Sequence, residues 1–135
     1  MNTSPTIGLT QLGQIAINVH DLPRALAFYR DTLGMKFLFQ AGTMAFFDCG
    51  GLRLMLGIPE QPEFDHPSSI LYFKVPDIER YYCEFTTRGV QFLSKPALIA
   101  KMPAYDLWMC FFKDSEGNTL SLYSEVTHST EGSNA

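Results

Sequence analysis

The sequence predicts an α+β protein made of two tandem β-α-β-β-β modules. Two observations carry that expectation. First, the chain is written twice. Gln14–Phe37 and Ile70–Phe92 share a pattern in which Val19, Asp21, Leu22 and Arg24 match Val75, Asp77, Ile78 and Arg80 at an offset of 56 residues. Gly34 and Phe37 match Gly89 and Phe92 at an offset of 55, so the second copy is one residue shorter there. Second, each copy carries the same local signals in the same order: an alternating strand, a capped helix, then further strands.

In the first copy, Gln14–Val19 alternates, with Ile15, Ile17 and Val19 on one face and Gln14, Ala16 and Asn18 on the other. Asp21 stands where an N-cap belongs, and Pro23 fits the first helical turn. Leu26, Phe28, Tyr29 and Leu33 supply the apolar stripe, and Gly34 supplies the left-handed stop. Strands are expected at Lys36–Gln40, Met44–Asp48 and Leu52–Gly57, the last two joined through Cys49-Gly50-Gly51. Three prolines keep the linker Ile58–Ser69 extended.

The second copy opens with a strand at Ile70–Val75. Asp77 caps a helix that runs to Arg88 and stops at Gly89. Strands are expected near Val90–Leu93, Leu107–Lys113 and Thr119–Ser124, the last two joined by the turn Asp114-Ser115-Glu116-Gly117-Asn118. The expected organisation is one domain over 12–126, made of module 12–57, linker 58–69 and module 70–126. Flexible tails are expected at 1–11 and 127–135. The twelve-residue segment Ala97–Trp108 is expected to be a loop, either a lid over the cup mouth that brings Tyr105 near a ligand or an ordinary surface connection.

Composition limits the partners. With 135 residues, 46% hydrophobic and a net charge of −4, the chain is an ordinary globular one of about one domain. It has no basic patch for nucleic acid or for an anionic membrane surface. No apolar run approaches the ~20 residues of a membrane span, and the first residues lack the charged and apolar regions of a secretion signal. Cys49, Cys83 and Cys110 have no zinc-ligand spacing and cannot all pair within one chain. They read as reduced thiols of a cytoplasmic protein.

The paired modules, the segment VHDLPRALAFYRDTLGM and the closing DSEGNTLSLYSE resemble the vicinal oxygen chelate superfamily over roughly residues 12–126. Glyoxalase I, bleomycin-resistance proteins, fosfomycin-resistance enzymes, extradiol dioxygenases and methylmalonyl-CoA epimerase belong to it. The resemblance implies two curved mixed sheets forming a cup, with the helices outside. In metal-dependent members the cup holds a divalent ion on inward His, Glu or Gln side chains.

Carried over position by position, those ligand places fall here on Gln14, on Arg53 or Met55, on Ile70 and on Ser121. Gln14 can ligate through its carbonyl. Ile70 has no donor, Arg53 is always cationic, Met55 suits only a soft ion, and a neutral serine hydroxyl is a poor ligand. A catalytic zinc site needs about three protein ligands. His20, His66 and His128 lie at a junction, in the linker and in the tail, and read as surface or turn histidines. No resident metal or other cofactor is therefore expected.

Strand parity extends the inward face from Gln14 to Ala16 and Asn18, from Ile70 to Tyr72 and Lys74, and from Ser121 to Tyr123. On the strand before Asp114, matching to the family puts Met109 and Phe111 against the helix. Trp108, Cys110 and Phe112 are then inward. The expected ligand-binding set is Gln14, Arg53, Met55, Ile70, Tyr72, Tyr105, Trp108, Cys110 and Ser121, an apolar and aromatic lining with a few polar points.

Three functional readings follow. One is a protein that holds a small organic ligand without metal, similar in outline to the antibiotic-sequestering branch; the acidic balance favours a cationic ligand. Another is a metal-dependent lyase, isomerase or dioxygenase using Gln14 in an atypical site. A third is a metal-free enzyme using Tyr72, Tyr105 or Cys110. A homodimer is expected by resemblance.

Overall fold

A computed structural model describes residues 7–128. The first module contains β1 (Gln14–Asn18), α1 (Leu22–Ala27), β2 (Lys36–Ala41), β3 (Met44–Cys49) and β4 (Leu52–Gly57). The second contains β5 (Leu71–Lys74), α2 (Ile78–Thr87), β6 (Gln91–Phe92), β7 (Ala97–Lys101), β8 (Tyr105–Lys113) and β9 (Thr119–Thr127). The first sheet has the order β1-β4-β3-β2, and the second runs β5-β9-β8-β6 with β7 also on β8. In each, the opening strand lies parallel to the closing one and every other pairing is antiparallel.

The duplicated helix signals act alike in both modules. Asp21 accepts the Arg24 amide at 3.1 Å and Asp77 accepts the Arg80 amide at 3.2 Å, each satisfying an orphan donor of the first turn. α1 buries Leu22, Ala25 and Leu26 and then widens into one π-helical turn, Phe28–Thr32, before Gly34 reverses the chain at φ 74°. α2 buries Ile78 and Phe85 and ends before Gly89 at φ 92°. The helix-facing sides of both sheets join one core that runs from Ile17, Phe47 and Leu54 to Cys110, Phe112 and Leu122. Apolar burial of this kind contributes roughly 1.5–3 kcal/mol per large side chain.

The modules are latched at one corner. Glu116, in the β8–β9 turn, accepts the His20 and Asp21 amides at 2.9 Å each, and the Asn118 side-chain Nδ2 donates to the Asn18 carbonyl at 3.3 Å. Tyr29, fully buried in the π turn, donates to Asp114 at 2.6 Å. Asp114 also accepts the Glu116 and Asn118 amides at 2.8 Å each and the Asn118 side chain at 3.0 Å. A second bond, from the Arg88 guanidinium to the Thr32 carbonyl at 2.9 Å, ties the ends of the two helical segments.

Two expectations are corrected. The segment Ala97–Trp108 is not a loop but mostly strand. Its first five residues form β7, paired with the opening half of β8 across a register shift between Leu98 and Ala100, and β8 itself begins at Tyr105. β6 and β7 thus form one broken line along β8, interrupted around Pro96. The closing strand also runs further than expected, to Thr127, and His128 bonds Asp106 at 3.0 Å. The ordered part of the chain therefore extends past residue 126. Most of the two expected tails falls on residues 1–6 and 129–135, outside the described residues.

Candidate binding faces

Each sheet has one face on the core and one face away from it. Residues opposite each other in a ladder share a face, so the register fixes which is which. On the first sheet, Gln14 pairs Arg53, Ala16 pairs Met55, Asp48 pairs Arg53 and Phe46 pairs Met55. All lie on the face away from the helices, whereas Leu54 and Leu56 lie in the core. Phe39 joins this outer face opposite Phe46 because the ladder shifts between Phe37 and Phe39. That bulge turns two residues of equal parity to opposite sides: Phe37 packs on buried Phe47 at 5.6 Å between centroids, and Phe39 packs on Phe46 at 4.7 Å.

The Arg53 guanidinium lies 5.9 Å from the Phe39 ring centre and 5.6 Å from that of Phe46. Among the described residues it has no carboxylate within ion-pair distance, although Asp48 is its ladder neighbour. Asp48 instead accepts the Gly51 amide at 3.3 Å. Gln14 donates to the Met55 sulfur at 3.8 Å, which leaves its carbonyl oxygen unengaged by any described side chain. Beside this group lies a hollow of about 260 Å³ whose walls include Ala16, Met44, Met55, Gly57, Ile58 and Phe64. Phe64 comes from the linker, which Asn18 holds by donating to the Phe64 and His66 carbonyls at 2.6 and 2.9 Å.

On the second sheet, Tyr72 and Phe111 both pair Ser121, and Lys74 and Met109 both pair Tyr123. Tyr105, Leu107, Met109 and Phe111 therefore share the face of Tyr72 and Lys74. Tyr72 is 47% exposed and meets Phe111 edge to face at 5.8 Å. Ile70 stands just before β5 and is 44% exposed. Lys74 is paired with Glu125 at 3.1 Å, which raises its pKa, so this face carries no free cation among its central residues.

Three expected site residues do not line this face as anticipated. Trp108 and Cys110 pair Ser124 and Leu122, and with Phe112 they lie on the helix side. Met109 and Phe111 take the outer positions, the reverse of the expected phase. Trp108 instead borders a separate cleft of about 460 Å³ with Pro76, Ile78, Glu79 and Val126. Ser121 has the expected phase but is fully buried beneath its two aromatic neighbours, and its hydroxyl is directed at the Cys110 and Leu122 carbonyls, 3.0 and 3.2 Å away. It offers nothing to a ligand. Gln14, Arg53 and Met55 are brought together on one face, and Ile70, Tyr72 and Tyr105 belong to the other sheet.

Cys110 is also excluded as a nucleophile. It is fully buried, and desolvation together with the charge of Glu79 pushes its pKa to about 11. Cys49 is half-buried with a raised pKa, whereas Cys83 is exposed. Native protein treated with a thiol reagent at neutral pH is expected to label rapidly at Cys83 alone. Peptide mapping of the labelled chain checks this; fast labelling of Cys110 would refute the placement of β8.

The superfamily's metal places do not fit a hard divalent ion here. One holds a carboxamide, one a cation beside a thioether, one a hydrocarbon and one a sealed hydroxyl. Among the described residues no three His, Cys, Asp or Glu side chains converge on a common point. His20 is exposed and pairs with Asp65 at 3.1 Å and Glu116 at 3.5 Å; the Asp65 hydrogen bond leads in raising its pKa. His66 bonds the Pro67 carbonyl at 3.1 Å. No helix among the described residues is long and apolar enough to cross a membrane.

Solved structures share this architecture. A member of the glyoxalase/bleomycin resistance protein/dioxygenase superfamily from Sphaerobacter thermophilus is 26% identical, with a TM-score of 0.71 over 87% of this chain and 98% of that one. A lactoylglutathione lyase from Agrobacterium tumefaciens is 19% identical, with a TM-score of 0.69 over 87% and 95%. A superfamily protein from Nocardioides is 19% identical, with a TM-score of 0.69 over 90% and 87%. No curated protein matches the sequence. The family model for the Glyoxalase/Bleomycin resistance protein/Dioxygenase superfamily matches residues 11–122. With its two matched modules and that match over most of its length, the chain belongs to the glyoxalase/bleomycin resistance protein/dioxygenase superfamily.

Proposed function

We propose that this protein binds a small organic molecule against its outward sheet faces, without a resident metal. The observation that carries the reading is the composition of the first sheet's outer face. Phe39, Phe46, Met44 and Met55 provide apolar contact, Gln14 and Arg53 are polar points beside the 260 Å³ hollow, and Asn18 and Glu60 are polar points in its wall. Apolar walls with sparse orienting groups are the usual make-up of a small-ligand site. The hollow is below the ~300–1,000 Å³ of drug-sized pockets, so the ligand is small or is completed by a second surface.

That second surface is the outer face of the other sheet. Phe39 at 44% exposure and Tyr72 at 47% are large aromatics left in water. We propose that a homodimer covers part of these faces and gives the ligand its opposite wall.

A thermal-shift screen of small organic compounds tests the reading. A ligand at a hundred times its Kd stabilises by about 2.7 kcal/mol, which raises the melting temperature by several degrees. Met55→Trp, which fills the hollow, is expected to abolish the shift while the protein stays folded and sediments at twice the 15.2 kDa chain mass. A stoichiometric metal in protein purified without chelator, lost in Gln14→Ala, would favour a metal-dependent lyase, isomerase or dioxygenase instead.

A further inference from the structure

We infer that the ligand of the first sheet is an organic anion, a small carboxylate with an apolar body, and that Arg53 is the residue that selects its charge. The inference rests on the binding reading above and adds the ligand's chemical class. It starts from the state of Arg53. The side chain is exposed, has no ion-pair partner among the described residues, and holds its guanidinium at cation–π distance from two phenyl rings. These ring contacts restrict the long side chain before any ligand arrives, so less rotamer freedom is lost on binding. The Arg53 guanidinium donates no hydrogen bond to a described residue, and the N–H donors of a planar guanidinium match the two oxygens of a carboxylate.

Of the surrounding charges, Glu60 in the wall of the hollow opposes an anion, and those in the ladder around Arg53 do not. Lys36, opposite Asp48 in the ladder, is a second cation on this face, whereas Lys74 on the other sheet is paired with Glu125 at 3.1 Å. The nearest acid in the ladder, Asp48, is engaged by the Gly51 amide. The chain's net charge of −4 suggests a cationic guest, but that balance is spread over the whole surface and is screened beyond about a Debye length of 10 Å. The local group decides.

The apolar body has a place as well. Met55 lies two residues from Arg53 on the same face, ~7 Å along the strand. It forms part of the wall of the hollow with Met44 and Phe64. An anionic head on Arg53 thus leaves a ring or short chain to lie over Met55. Gln14, held to the Met55 sulfur, stands beside the head group, next to Arg53 in the ladder.

The test compares small aromatic carboxylates (benzoate, phenylacetate, naphthoate) with their primary amides, by thermal shift and calorimetry, on the wild type, Arg53→Gln and Met55→Trp. The wild type is expected to bind at least one acid about tenfold or more tighter than its amide, the scale of a hydrogen bond to a charged group. Arg53→Gln is expected to remove that preference while the protein stays folded, because the side chain lies outside the core. Met55→Trp should weaken acid and amide alike. If neutral compounds bind, are blocked by Met55→Trp and ignore Arg53→Gln, the anion inference fails and the binding reading stands. If no compound binds the wild type, both fail.

Discussion

Replacing Asp114 by Ala is expected to destabilise the protein by about 3 kcal/mol, lowering the melting temperature by about 10 °C. Asp114 is only 6% exposed and sits where the second module meets the first. Four donors converge on its carboxylate: the Tyr29 hydroxyl, the Glu116 and Asn118 amides and the Asn118 side chain. No Lys or Arg lies within ion-pair distance among the described residues, so these donors alone solvate it. Alanine leaves the buried Tyr29 hydroxyl and two turn amides without their acceptor, and each such loss costs roughly 1–3 kcal/mol where water cannot enter. Desolvation and the Asp114 charge raise the pKa of Tyr29 far above its ordinary value, so it stays a neutral donor throughout the working range. Tyr29→Phe should cost less than Asp114→Ala, because it removes one donor of four and leaves the carboxylate with three. Chemical denaturation of both variants checks the order; equal or reversed losses would show that the Tyr29 bond, not the turn, dominates.

Ser121→Glu is expected to cost about 3 kcal/mol and to confer no tight divalent-metal site. The change installs the carboxylate that the superfamily's metal-dependent members use at this place. Ser121 is fully enclosed, with Tyr72 and Phe111 as its ladder neighbours on either side. A larger side chain must push those rings apart, a strain of ~1–3 kcal/mol, and must either stay desolvated or bind a proton. It also removes a hydroxyl that satisfies carbonyls within the sheet. Calorimetric titration with Zn²⁺ or Ni²⁺ reads the second half of the prediction. Micromolar binding in the variant would show that the remaining positions can still coordinate, and would overturn the account of the lost site.

Much of the fold is legible in the sequence because its signals are local and repeated. Asp21 and Asp77 each cap a helix, Gly34 and Gly89 each take positive φ, and Gly50-Gly51 close a hairpin whose ends fall within a residue or two of expectation. The outer face of the first sheet is legible for a related reason. A two-residue turn fixes the ladder by counting, so Cys49 opposite Leu52 puts Phe46 opposite Met55. Phe46 and Met44 were therefore within reach of the sequence, though the expected site omitted them.

Elsewhere the signal is absent. Leu107 to Phe112 is apolar at every position, so alternation cannot tell one face of β8 from the other, and Trp108 and Cys110 lie on the face opposite to the expected one. Phe39 is misplaced by parity for another reason: a bulge of one residue reverses the face beyond it. β7 has no clear strand signal in the sequence, because Pro96 and Pro103 bracket a five-residue run whose pairing is itself irregular. The enclosure of Ser121 depends on two aromatics from different strands meeting over it, which no local window contains.

The corner at which Glu116 and Asn118 reach His20, Asp21 and Asn18 has a consequence for how this duplicated chain melts. Each copy looks self-sufficient, yet the first helix begins on amides held by the second copy's hairpin, and the interior runs through both without a seam. The halves are expected to lose structure together in one transition, and neither should persist after the chain is cut between them.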